Sequence, residues 1–222
     1  IGSWSAAGDR ITKPVTLREA LVERLGPDTP IHYAKGAGYE FTDTDQSGFA
    51  EAIAAAKKAD VIILAMGEKW DMTGEAASRV ELDFPGTQDA LMKELKKLGK
   101  PMVLVLMSGR PTTINWANDN LDSILHTWYA GTQGGHAIAD VLYGDYNPAG
   151  KLPVTFPRHV GQIPIYYNMK NTGRPYEPEG PEQKYRSRYL DSSNQPLYPF
   201  GFGLSYTSFT YSAVTLSSTQ LQ

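Results

Sequence analysis

The chain has 222 residues, 41% of them apolar and 20% charged, with a net charge of −3 and no cysteine. That is room for one globular domain with its own core. It excludes a basic nucleic-acid footprint, a polybasic membrane patch, disulfides and thiolate chemistry. No apolar run approaches the roughly 18 residues of a membrane span. The longest runs, Val61 to Met66 and Met102 to Met107, are strand-sized. His32, His126, His136 and His159 share no i, i+4 spacing, so neither a histidine-built metal site nor a cofactor is expected. Ile1-Gly2-Ser3-Trp4-Ser5 has no initiator methionine, basic region or apolar stretch. The sequence therefore reads as a piece of a longer protein, with any secretion signal upstream.

From Val15 onward helix and strand signals alternate. Leu17, Ala20, Leu21 and Leu25 recur at helical spacing, and Gly26-Pro27 stops the run. Ile31 to Ala34 predicts a short strand. Phe49 to Ala59 predicts an Ala-rich helix, and Asp60 to Met66 a strand apolar on both faces. Pro85 to Leu98 contains a second helix capped by Gly99. Met102 to Met107 and Ser123 to Trp128 predict two further strands, and Gly134 to Leu142 a helix ending near Gly144. Continuous apolar strands alternating with amphipathic helices indicate an α/β fold, a mostly parallel sheet with helices on both faces. Beyond Lys151, Pro, Tyr, Asn and Arg dominate, which predicts a loop-rich C-terminal wrap. Thr210 to Gln222 is Ser/Thr-rich and reads as a connector.

In open α/β sheets ligands gather beyond the carboxyl ends of the strands. The connection after Met66, Gly67 to Phe84, is far longer than the usual few residues, and such length is usually functional. It carries Glu68, Asp71, Glu75, Glu81 and Asp83 together with Arg79 and Trp70. Paired carboxylates serve glycoside cleavage, where one protonates a departing oxygen and another meets the sugar cation. The plain alternative is a solvated loop with local ion pairs such as Glu75 with Arg79, and spacing alone does not choose among the acids. The loop shows few apolar anchors, so it is expected to be mobile.

Gly67 to Gln88, GEKWDMTGEAASRVELDFPGTQ, resembles the acid/base loop of glycoside hydrolase family 3, with its Gly-Glu-x-x-x-Arg element and Pro-Gly-x-Gln helix start. KPMVLVLMSGRP (100–111), WYAGTQGG (128–135), ADVLYGDYNPAGKLPVTF (139–156) and YPFGFGLSYTSF (198–209) are similar to that family's second, α/β sandwich domain. Gly161 through Asn171-Thr172-Gly173-Arg174-Pro175-Tyr176 is most similar to its periplasmic bacterial β-glucosidases. The resemblance implies that residues 1–211 form that domain and 212–222 open a connector to a following one. It implies an exo-acting, retaining β-glucosidase in which Glu75 is the general acid/base and Trp4 stacks on the aglycone sugar. Trp70, without a family counterpart, is either a sugar platform or lid packing. The substrate would be a β-glucoside or β-linked oligosaccharide, and the location periplasmic or extracellular.

The resemblance also implies a partner. The family's aspartate nucleophile lies in a preceding (β/α)8 barrel of the same polypeptide, within a Ser-Asp-Trp-like motif that is absent here. The strand and helix that open the family domain before Gly2-Ser3-Trp4-Ser5 are absent too, which would leave an unpaired sheet edge. Two rival readings stand beside this one. A non-catalytic carbohydrate-binding or barrel-packing module needs no nucleophile. Nucleotide binding at Gly131-Thr132-Gln133-Gly134-Gly135 lacks the GxGxxG and Walker spacings, and a glycine-rich helix cap with Thr132 would account for that turn.

Overall fold

A computed structural model describes residues 11–171, 173–177, 184–218 and 220. Helix α1 (Leu17–Leu25) starts on a reciprocal cap. Thr16 Oγ1 accepts from the Glu19 amide at 3.1 Å, while Glu19 accepts from the Thr16 amide at 2.9 Å. It ends at Gly26, whose φ of 72° closes the last turn. Helix α2 (Phe49–Lys58) follows, buries Phe49, Ala52 and Ala56, and leads into strand β1 (Ile62–Gly67). Helix α3 (Gln88–Lys96), strand β2 (Met102–Met107), helix α4 (Asn115–Asn120), strand β3 (Ser123–His126) and helix α5 (Gly134–Leu142) complete the order.

Among the described residues the three strands form one parallel sheet in the order β1-β2-β3. Ile62 lies opposite Met102 and the register runs to Gly67 opposite Met107. Val103 to Leu106 likewise match Ser123 to His126. One face, bearing Ile62, Leu64, Met66, Met102, Leu104 and Leu106, packs with α2, α3 and α4 in the main core. On the other face Ile63 meets the cluster of Ala20, Leu21 and Ala139 from α1 and α5. Met102, Leu104, Val105 and Leu106 are fully buried, as a central strand covered on both sides requires. This is the α/β sandwich expected from the alternating apolar pattern.

Local expectations needed correction in three places. Ile31 to Ala34 forms no strand. Its backbone makes no ladder bond, and Ile31 instead packs beside the α1/α5 cluster. Asn115–Asn120, unsuspected from its polar sequence, is helical because Ala117 and the half-buried Trp116 anchor it to the main core. At α5 the cap is Gln133, with no side-chain hydrogen bond. The glycines there serve close packing. Val15 N donates to Thr132 O at 2.9 Å and Gly135 N to Val15 O at 3.2 Å, and a Cβ on Gly135 would stand 2.4 Å from Thr16 O. The glycines thus let the chain's own entry to α1 approach the start of α5.

The wrap beyond Lys151 is held by backbone bridges. Phe156 and Tyr198 exchange bonds (Phe156 N to Tyr198 O 2.8 Å), as do Leu152 and the 201–202 segment (Leu152 N to Phe202 O 2.8 Å). Phe156, 1% exposed, inserts between His126, Trp128 and Tyr198 and ties the wrap to the core.

Candidate functional site

The register carries β1 and β2 to their carboxyl ends side by side, so the residues that follow, Glu68 and Ser108, are neighbours. Glu68 is the first residue of the long loop and its side chain is completely buried. Burying a carboxylate is costly unless it is paired and hydrogen-bonded, and this one is. Arg79 Nη1 donates to Oε1 at 2.9 Å, Ser108 Oγ donates to Oε2 at 2.8 Å, and Arg110 Nε lies 2.9 Å from Oε1. The Arg110 Nε contact is one of charge alone, since its N–H is not aligned with the carboxylate. Arg79 also donates to Asp83 O at 2.9 Å and stacks over the Phe41 ring at 4.9 Å. Arg110 Nη2 donates to Met72 O and, at 2.8 Å, to Ala77 O.

A second anchor lies where the loop returns. Gly67 N donates to Gln88 Oε1 at 2.8 Å, and Gln88 Nε2 donates to Gly67 O and Pro85 O, each at 2.9 Å. Thr87 Oγ1 accepts from Gly38 N and donates to Asp45 O. Gly86, at φ 67°, lies so close to Gly38 that a Cβ would stand 2.4 Å from Gly38 O. Met72, Leu82 and Phe84 are buried along the loop. The expectation of few apolar anchors is therefore wrong, because three of the apolar residues turn inward and the charged network braces the rest.

Glu75 sits on the crest of this braced loop. Its side chain is exposed and makes no hydrogen bond or ion pair with the described residues. The turn around it is tight: Gly74 has φ 112°, Ala76 has φ 59°, and Ala77 N donates to Gly74 O at 3.3 Å. A left-handed alanine costs about 1 kcal/mol or more, and such strain clusters at functional sites. Arg79 pairs with Glu68 and Asp83, so the local Glu75–Arg79 pair is not formed. Trp70 opens the single 3-10 turn Trp70–Met72 in the same loop and is 58% exposed. Trp4 lies outside the described residues. Of the other acids, Asp71 pairs with Lys69 at 3.1 Å and Asp83 with Arg79, while Glu81 is exposed.

Charge and burial tune the groups beneath the crest. Hydrogen bonds from Lys69 to Glu40 first and Asp71 second hold its ammonium above the ordinary range. Burial, then the charge of Glu68, pushes the Tyr129 hydroxyl up to about 12, so it stays a neutral donor to Lys69 O at 3.1 Å. A cavity of about 470 Å³ flanks the returning limb beside Phe41, Arg79, Glu81 and Phe84. A larger one, about 840 Å³, lies between the sheet and the starts of α1 and α5 and touches neither Glu75 nor Trp70. Sequence reasoning weighed Glu68 only as one of five candidate acids and assigned no role to Ser108, Gln88 or Arg110. The usable signal was polar residues following two adjacent apolar strands at matching positions.

An α/β sandwich with an anchored, carboxylate-bearing loop at the strand ends defines the class. The chain belongs to the glycosyl hydrolase family 3 C-terminal domain, which matches residues 1–206. A periplasmic β-glucosidase of Salmonella typhimurium is 50% identical over the whole chain, and a β-xylosidase of Formosa agariphila is 41% identical over 93% of it. The chain spans 31% and 27% of those relatives' lengths. Among solved structures, a Listeria innocua β-glucosidase in complex with glucose superposes with a TM-score of 0.72 at 43% identity, over 76% of this chain and 24% of that one. A β-glucosidase of Erythrobacter marinus gives 0.75 at 37% identity, over 90% and 29%. The domain is thus homologous to parts of β-glucosidases and β-xylosidases.

Proposed function

We propose that this domain supplies the general acid/base of a retaining, exo-acting β-glucosidase, and that Glu75 is that group. The observation that carries the reading is an exposed carboxylate, without a hydrogen-bond or ion-pair partner among the described residues, on a strained turn whose two flanks are fixed by a buried ionic cluster. In the proposed reaction an aspartate of a (β/α)8 barrel in the same polypeptide attacks the anomeric carbon. Glu75 gives its proton to the departing glycosidic oxygen as the bond breaks. Glu75, now a carboxylate, then takes a proton from the water that releases the sugar and regenerates the aspartate. Trp70 and Trp4 would contact the sugars of a β-glucoside or β-linked oligosaccharide. Residues 1–211 would form the domain, 212–222 a connector, and the location would be periplasmic or extracellular.

The second reading, a non-catalytic sugar-binding or barrel-packing module, draws on the exposed apolar side chains of the wrap. Tyr167, Tyr185, Leu190, Leu204, Phe209 and Tyr211 are each at least 74% exposed, an excess that marks contact surface. The two readings part in one experiment on the full-length protein. Glu75→Ala should cost about 10²–10⁴-fold on a substrate with a poor leaving group. A dinitrophenyl glucoside should still form the glycosyl-enzyme at a near-normal rate, and added azide should restore turnover as the β-glucosyl azide. The isolated 222-residue chain, lacking a nucleophile on the opposite face of the sugar, should show no turnover. Equal losses on both substrates without azide rescue would favour the module.

A further inference from the structure

Arg110 stands out because one nitrogen of its guanidinium bonds two carbonyls of the same loop. Nη2 donates to Met72 O and to Ala77 O. These two carbonyls bracket Thr73–Ala76, the segment that carries Glu75, so the guanidinium closes the turn into a ring. The ring is fastened from below. Arg110 Nε rests 2.9 Å from the buried Glu68 carboxylate, and Arg110 N donates to Ser108 Oγ at 3.2 Å. From the side, Thr73 packs onto Gly109 so closely that a Cβ there would stand 2.5 Å from Thr73 Oγ1. No hydrogen bond or ion pair to the described residues holds the Glu75 side chain, so the placement of its Cα by the turn sets the region that the carboxyl can reach.

We propose that Arg110 is the positioning residue of Glu75, chelating both flanks of its turn and holding it at a fixed height above the strand ends. The assignment rests on the reading of Glu75 as the acid/base. The planar guanidinium turns Nη2 to both carbonyls while its Nε faces Glu68 at a fixed angle, whereas an ammonium is a compact point charge with no such fixed geometry. The side chain is only 16% exposed, so bulk water cannot readily replace it. Loss of Arg110 leaves Glu68 still paired with Arg79 and Ser108, so the fold beneath should persist while the turn loosens. A displacement of about 1 Å in a reacting group can cost on the order of 10²-fold.

The test uses the full-length protein with Arg110→Met and Arg110→Lys, beside Glu75→Ala. Arg110→Met should lose about 10²-fold in kcat on a poor-leaving-group glucoside with KM little changed. Its glycosylation by the dinitrophenyl glucoside should fall by less than about threefold, because that step needs little protonation. Guanidinium added at millimolar concentration should recover part of the loss, and Arg110→Lys should lie between. Hydrogen exchange at the Ala77 amide, which donates to Gly74 O across the turn, should rise in Arg110→Met with Tm nearly unchanged. If Arg110→Met fails to fold, Arg110→Lys decides by the same two ratios. Equal losses on both substrates, or wild-type rates on both, would overturn the proposal when Glu75→Ala is selective. If Glu75→Ala is itself unselective, the acid/base reading falls, and unchanged exchange at the Ala77 amide would remove the positioning role as well.

Discussion

Gln88 grips both backbone atoms of Gly67, its Oε1 accepting from the amide at 2.8 Å and its Nε2 donating to the carbonyl at 2.9 Å. One side chain thereby joins the end of β1 to the start of α3 and closes the whole acid loop at its base. Gln88→Met would keep the volume and take this partner from three groups, the part-buried Gly67 N and O and the buried Pro85 O. We expect a loss of about 3 kcal/mol or more, at one to three per orphaned group. Urea denaturation measures it, and protease nicking within 68–84 should accelerate in parallel.

Glu68 is the single carboxylate shared by two largely buried guanidiniums. Its removal leaves both cations facing one another in a desolvated space. Glu68→Ala should destabilise by about 3–5 kcal/mol, the usual cost of breaking a buried pair from one side. Glu68→Gln, which fills the space and keeps hydrogen-bonding capacity, should fall short of that. Equal midpoints for Glu68→Ala and wild type in urea would refute this account of the cluster.

Gly135 is set by contact rather than by backbone angle. A methyl there meets Thr16 O at 2.4 Å and Val15 O at 2.7 Å, both backbone atoms that cannot rotate away. Gly135→Ala should cost about 1–3 kcal/mol through overpacking and loosen the entry to α1. Gly161→Ala, with nothing within 4 Å of the new Cβ, is the matched control and should leave the midpoint nearly unmoved.

His126 gives the domain an acid-side weakness. Burial lowers its pKa from 6.5 to about 4, against the opposing hydrogen bond to Leu106 O. The folded state therefore holds the neutral ring while the unfolded chain binds a proton below 6.5. The stabilisation is fully present above that pH and is lost as pH falls toward 4. Linkage predicts a loss of up to about 2 kcal/mol between pH 7.5 and pH 5. His126→Phe should flatten this part of the pH–stability curve, read by denaturant midpoints at the two pH values.

Much of this architecture is readable from the residues because local and global signals agree. Thr16 with Glu19 and then Gly26 mark both ends of α1, and the apolar runs 62–66 and 102–107 read as neighbouring strands of a parallel sheet. Ile31 to Ala34 misleads because β-rich composition says nothing about whether a partner edge is near. Asn115–Asn120 hides for the opposite reason, its helix being stabilised by two anchors rather than by a periodic face. At the site, Glu75 was reached through family resemblance, since loop spacing left five acids equal. The buried role of Glu68 escaped because a Glu in a loop reads as solvated until the Met107–Gly67 register brings Ser108 and Arg110 beneath it.

The wrap hangs from two pairs of backbone bridges, Leu152 with the 201–202 segment and Phe156 with 197–198. The chain leaves and returns at that base, with Asn115 Nδ2 donating to Arg158 O at 2.7 Å as a further tie near its start. Closing a chain loop costs entropy only logarithmically, so doubling its length adds about 0.6 kcal/mol. That rim can be lengthened, shortened or rewritten over evolutionary time with little effect on the sandwich beneath. The acid loop has no such latitude, being tied at Gly67, Glu68, Met72, Ala77, Asp83 and Gln88 along its course. One protein surface thus pairs a segment free to diversify with one that admits almost no change in length.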